Sequence, residues 1–131
     1  MSEENSGIQV EPIDGYNALK LICKHNIDDH DLHGASQQIL AALDRTTAPL
    51  HLVVDLTSQP ELPVGATTYE ILTGPIKNPL LGKFLVFGSS PSAHLVADFV
   101  EFRGTVEALW FDTEAEAMAY LDQIGGKRDT D

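Results

Sequence analysis

The densest group of chemistry-bearing side chains is His25, Asp28, Asp29, His30, Asp31 and His33, crowded into nine positions. Imidazoles and carboxylates together can hold zinc, and His30 and His33 would share one face of a helix. The same run has the form of an acid-capped helix start, with three aspartates where the helix dipole favours negative charge. That explanation needs no metal, and no distant His or Cys completes a recognisable zinc spacing, so none is expected. A second group is Asp55, Thr57 and Ser58, directly after a short apolar run, with Ser89 and Ser90 after another. If both runs are parallel strands, these residues lie on the sheet edge where ligands bind, and hydroxyls beside a helix start can receive an anion. A plain strand-to-helix connection with serine caps explains them more simply. Ser89 and Ser90 lack the G-x-S-x-G elbow of a nucleophile, although His94 lies nearby as a potential base. Cys23, in an apolar run, reads as a small buried hydrophobe, and Trp110 with Phe111 reads as core. No phosphate-cradling glycine motif occurs. The sequence therefore predicts no catalytic residue and no cofactor.

Composition narrows the partners. The 131 residues carry 20 acids against 8 bases, a formal charge of -12. Phosphate backbones and anionic lipid surfaces repel such a chain, which argues against nucleic-acid binding. No apolar run approaches a membrane span, and the acidic, polar Met1–Ser6 is unlike a signal peptide, so a cytoplasmic location is expected. The single cysteine agrees with a reducing compartment. The length suits one domain. We expect residues 1–7 and 125–131 to be tails around a single domain at 8–124.

Within that domain the positioning elements follow from pattern. Asp14-Gly15 separates apolar runs at about 8–13 and 16–24, which predicts a tight hairpin with both central residues at positive φ. A helix opens at Asp28–Asp31, with Leu32, Ala35, Ile39, Leu40 and Leu43 at helical spacing, and ends between Thr46 and Pro49. Leu50–Leu56 is a strand buried on both faces. A second helix covers about 63–73, broken by Gly74-Pro75, with a short helical turn at 76–81. Phe84–Phe87 is the next strand, closed by Gly88. A third helix after Pro91 buries Leu95, Val96, Phe99 and Phe102, and Val106–Phe111 is the last strand. Thr113 and Glu116 have the spacing of a capping box at the start of a final helix. The order β-β-α-β-α-β-α-β-α predicts an α/β fold. Its sheet is mixed, with about five strands and about four helices, and all strands after the hairpin are parallel.

The acid-capped first helix, Leu52-Val53-Val54-Asp55-Leu56-Thr57, Gly82–Gly88 and the closing Trp110–Ala117 together resemble the STAS / SpoIIAA-like group. The resemblance spans about residues 8–124 and implies a small regulatory or binding domain whose helices pack on one side of the sheet. It also implies a phosphorylated serine, within an Asp-Ser pair, at the start of the helix after the central strand. Here that stretch is Glu61–Thr68, Val64 or Gly65 stands at the helix start, and Thr67 and Thr68 fall about one turn inside.

The expectation is thus a non-enzymatic module acting through residues 57–74. Asp55, Thr57, Ser58, Thr67, Thr68, Ser89 and Ser90 are its candidate contacts, with a protein or small-ligand partner. The alternatives are a carrier of an apolar ligand or lipid, in a pocket between the sheet and the 63–81 segment, and a phospho-switched anti-sigma factor antagonist. The resemblance's one-sided sheet would leave a face for a homodimer to cover.

Overall fold

The computed structural model describes residues 7–24, 26–62, 65–88, 94, 95, 97, 98, 101, 102 and 106–124. The strands are β1 (Ile8–Pro12), β2 (Ala18–Cys23), β3 (Leu50–Leu56), β4 (Leu81–Gly88) and β5 (Ala108–Phe111). The helices are α1 (Asp29–Arg45), α2 (Ala66–Ile76) and α3 (Glu114–Gln123). Residues 94, 95, 97, 98, 101 and 102, between β4 and β5, are also helical. The five strands lie in chain order, β1-β2-β3-β4-β5, with β1 antiparallel to β2 and every later pairing parallel. The expected mixed sheet with an N-terminal hairpin is therefore present.

Strand alternation divides the core. Leu19, Leu21, Cys23, Leu50, Leu52, Leu56 and Val86 face α1 and α2, joining Leu32, Ala35, Ile39, Leu43 and Ile76. On the opposite face Ala18, Val53, Leu85 and Phe87 pack with Ala117 and Leu121 of α3. Successive right-handed crossovers place α1 and α2 together. The one-sided packing expected from the resemblance is corrected here, because α3 returns across the second face. Lys20 on β2 pairs with Glu114 at 2.7 Å, and Tyr16 donates a 2.7 Å hydrogen bond to Asp122. These two surface contacts border the seam that the buried Ala117 and Leu121 packing holds together.

Several local expectations also change. Only Gly15 takes a positive φ at the hairpin; Asp14 does not, because residues 13–17 form a longer connection closed by Tyr16 N–H to Ile13 C=O. Gly74-Pro75 does not end α2, and the turn expected at 76–81 becomes the helix's last residue followed by a turn. Proline at 75 deprives the Ile71 carbonyl of its intrahelical N–H. Ser36 of α1 replaces that donor, its hydroxyl bonding Ile71 C=O at 3.3 Å. Thr113 caps α3 by accepting from Glu116 N–H, but the Glu116 carboxylate reaches back to Asp112 N–H rather than Thr113. Leu95 and Phe102, expected in the core, are 54% and 83% exposed. Val96 and Phe99 lie outside the described residues.

Candidate functional site

At their C-terminal ends β3 and β4 finish level, with Asp55 opposite Phe87 and Leu56 opposite Gly88. Asp55 Oδ1 accepts from both Thr57 N–H (2.9 Å) and Thr57 Oγ1 (2.6 Å), which turns the chain sharply out of the strand. Gln59 N–H then bonds Leu56 C=O, and Gln59 itself takes φ +53. Gly88, at φ +94, lies so close that a Cβ would stand 2.5 Å from Leu56 C and 2.8 Å from Thr57 N. Glycine alone tolerates that φ and that approach. Further on, Ile27 N–H reaches Glu61 C=O, linking the loop to the residues before α1. The result is a rim with a closed hydrogen-bond frame and outward side chains: Thr57, Ser58, Gln59 and Glu61 are exposed.

The two threonines of α2 part company. Thr67 is exposed, while Thr68 is fully buried. Thr68 Oγ1 donates to Asp29 Oδ1 at 2.7 Å and accepts from Gly65 N–H at 3.3 Å. Gly65 is the N-cap of α2, so the hydroxyl that closes this cap also ties α2 to the first turn of α1. Asp55 and Thr57 thus form one pair, Thr68 belongs to a separate α1–α2 junction, and Ser58 and Thr67 present free surface around them. Ser89 and Ser90 lie outside the described residues.

The acidic start of α1 is a structural knot. Asp28 and Asp31 complete a reciprocal capping box, Asp28 Oδ1 accepting from Asp31 N–H at 2.8 Å and Asp31 Oδ2 from Asp28 N–H at 3.1 Å. Desolvation acts to raise the Asp31 pKa, but backbone donors at Gly7 and Asp28 outweigh it and hold the carboxyl below its usual value. Asp29 serves Thr68. His30 and His33 are exposed, and among the described residues no three His, Cys, Asp or Glu converge as a metal set. Burial, with the Asp55 charge, pushes the Cys23 thiol up to about 12, so it carries no thiolate near neutrality. His94 stacks on Trp110, ring centroids 3.9 Å apart.

Features at the opposite edge were not legible in the sequence. A cleft of about 710 Å³ opens between the hairpin, the C-terminal half of α1 and the α1–β3 connection. One stripe of α1, Gln38, Ala41, Ala42 and Arg45, forms a wall, and Val10, Glu11, Leu19 and Leu50 line it from the sheet. The small alanines leave the space that larger residues would fill. Asn17 shapes the mouth: its side-chain amide is shared among Pro49 C=O (2.8 Å), Thr46 Oγ1 (3.0 Å) and Ala48 C=O (3.1 Å). Beside it, β4 slips by one residue against β3 between Leu50 and Leu52. His51 Nδ1 fills the gap by accepting Lys83 N–H at 3.0 Å, directly over Gly82. Burial, then the Lys83 charge, lowers the His51 pKa.

The fold and its α-helical layers now meet known structures. A protein of the DUF3478 family from Shewanella loihica PV-4, described as having a SpoIIAA-like fold, superposes with a TM-score of 0.62 at 15% identity. The match covers 87% of this chain and 91% of that one. The chain has the SpoIIAA-like (STAS) fold. The unphosphorylated anti-sigma factor antagonist SpoIIAA gives 0.61 at 14% identity, over 91% of this chain and 98% of the other. The phosphorylated form of SpoIIAA from Bacillus, a cell fate determinant, gives 0.61 at 14% identity, covering 87% and 98%. No family model matches the sequence, and no curated protein matches it. Among the described residues of this SpoIIAA-like chain, no helix is long and apolar enough to cross a membrane.

Proposed function

We propose that this SpoIIAA-like domain is a non-enzymatic regulatory or binding module that engages a protein partner through the rim around residues 57–74. The carrying observation is the rim itself, whose exposed side chains stand on a backbone already closed by Asp55–Thr57, Gly88–Leu56 and Ile27–Glu61 contacts. A preformed surface of this kind binds without first losing loop entropy. Of the rim's hydroxyls, Thr57 donates to Asp55, whose carboxylate also closes the local turn, while Ser58 and Thr67 stand exposed as contact groups. A photo-crosslinking residue at Thr67, in the protein's own host cells, is expected to give one discrete adduct, and the same residue at exposed Gly34 none. Equal labelling at both positions, or none at either, would overturn the proposal. Hydrolase or transferase turnover that disappears in Ser90→Ala would also overturn it.

Two alternatives receive less support. A ligand pocket between the sheet and the 63–81 segment would have to displace Thr68, Pro75 and Ile76, all buried there. A phospho-switch gains plausibility from SpoIIAA, known in phosphorylated and unphosphorylated forms. In this chain Gly65, not serine, caps α2. Asp55 and Glu61 would oppose the roughly -1.5 to -2 charge of a phosphoryl group on Thr57 or Ser58. Incubation with an anti-sigma kinase and ATP is expected to leave residues 57–68 unmodified, and stoichiometric phosphate there would establish the switch.

A further inference from the structure

We propose that the cleft between α1 and the hairpin is a second binding site, for a small organic anion with a single carboxylate on a short apolar body. It lies at the sheet edge opposite the rim and does not depend on the rim's function. At about 710 Å³ the cleft has the size of small-molecule sites, which span roughly 300–1,000 Å³. Val10, Leu19, Ala41, Ala42 and Leu50 supply the apolar lining that a hydrocarbon body needs. Arg45 supplies the cation. It is exposed, and among the described residues the ion pairs belong to Lys20 and Lys83, so its guanidinium has no carboxylate partner.

Arg45 sits in the last turn of α1, where a cation is favoured by the helix dipole. That position accounts for the charge but not for the apolar hollow beside it. A planar guanidinium donates two parallel hydrogen bonds to a carboxylate, a geometry that fits one carboxylate more closely than a point charge would. Glu11 also lines the cleft, its carboxylate accepting from Gln9 at 3.3 Å. Together with the chain's charge of -12, it disfavours dianions and polyanions. The Asn17 amide is already spent on the 46–49 segment, so the mouth is preset rather than assembled by ligand.

Octanoate, 1-octanol and octylamine would each be titrated into the 15N-labelled full chain and followed by amide chemical shifts. Octanoate is expected to move the signals of Ala41, Ala42, Arg45 and Ala48, 1-octanol to move the same signals more weakly, and octylamine to leave them in place. Arg45→Gln should weaken octanoate about tenfold or more. Ala41→Phe, at an exposed position, should abolish its binding while leaving the urea midpoint unchanged. Shifts scattered over the surface, octylamine binding as tightly as octanoate, or unchanged affinity in Arg45→Gln would each overturn the proposal.

Discussion

At the C-terminal ends of β3 and β4 the polar groups are spent on one another, and side chains stand outward from a tight backbone frame. On the opposite side of the sheet a histidine fills a one-residue slip between the same two strands, and nearby the small residues of α1 leave a hollow against the hairpin. The rim grows from β3 and β4 themselves, whereas the hollow is walled by β1, β2 and α1 and takes Leu50 alone from β3. The difference lies in what shapes each: an Asx-type turn against a close glycine at the rim, and small α1 residues beside a short asparagine-pinned connection at the cleft. An end closed by local hydrogen bonds presents a surface, whereas an end held open by side chains from distant segments presents a cavity.

Substitutions at the two ends should separate these behaviours. The largest effect is expected from Gly88→Ala, which forces a side chain into positive φ and against the Leu56 backbone. A loss of about 3 kcal/mol in urea unfolding is expected, combining backbone strain with overpacking. Thr68→Val should cost about 2 kcal/mol, because Asp29 loses a short hydrogen bond, while Thr68→Ser retains most of it. Exposed Thr67→Val should stay within about 0.5 kcal/mol of the parent, showing that the frame rather than the threonine pair matters. At the cleft end Asn17→Ala should cost about 1 kcal/mol and speed amide exchange at Ala48.

The smallest effect concerns pH. The His51 pKa is lowered in the fold, so the neutral ring is the stabilising form. Its contribution is complete above the unfolded value of 6.5 and is lost as pH falls below it, through the lower folded value. The urea midpoint should therefore decline between pH 7 and 5 more in the parent than in His51→Gln, which keeps an acceptor for Lys83 N–H. Asp31, depressed below 3.8, contributes above that value and loses its contribution only in stronger acid. The two windows are separable by titration.

The elements were readable in the sequence because their signals are local. Leu50–Leu56 matches its apolar run at both ends, and the Asp28 cap opens α1 as the acidic run predicts. Where distant residues intervene, reading failed. Pro75 remains within α2 because Ser36, thirty-five residues away, takes the carbonyl it leaves open. Thr67 and Thr68 are neighbours in sequence, and the packing of α2 on α1 decides which is buried, with Thr68 meeting Asp29 there. The cleft has no motif, since its walls come from β1, the hairpin and one stripe of α1. The Asp55–Thr57 contact was accessible to sequence reasoning, as a carboxylate two residues before a hydroxyl at a strand end is a common turn device.

The chain-order arrangement of the strands has a consequence for synthesis. No strand is inserted between two others, so each one emerging from the ribosome adds beside the strand laid down just before it. The sheet can extend from the hairpin one strand at a time, and the nascent chain never has to reopen pairing already made. Only the closing step reaches far back, when α3 returns to Lys20 and Tyr16 at the beginning of the domain. Those two surface contacts serve as a latch that can close only after the last strand has been laid down.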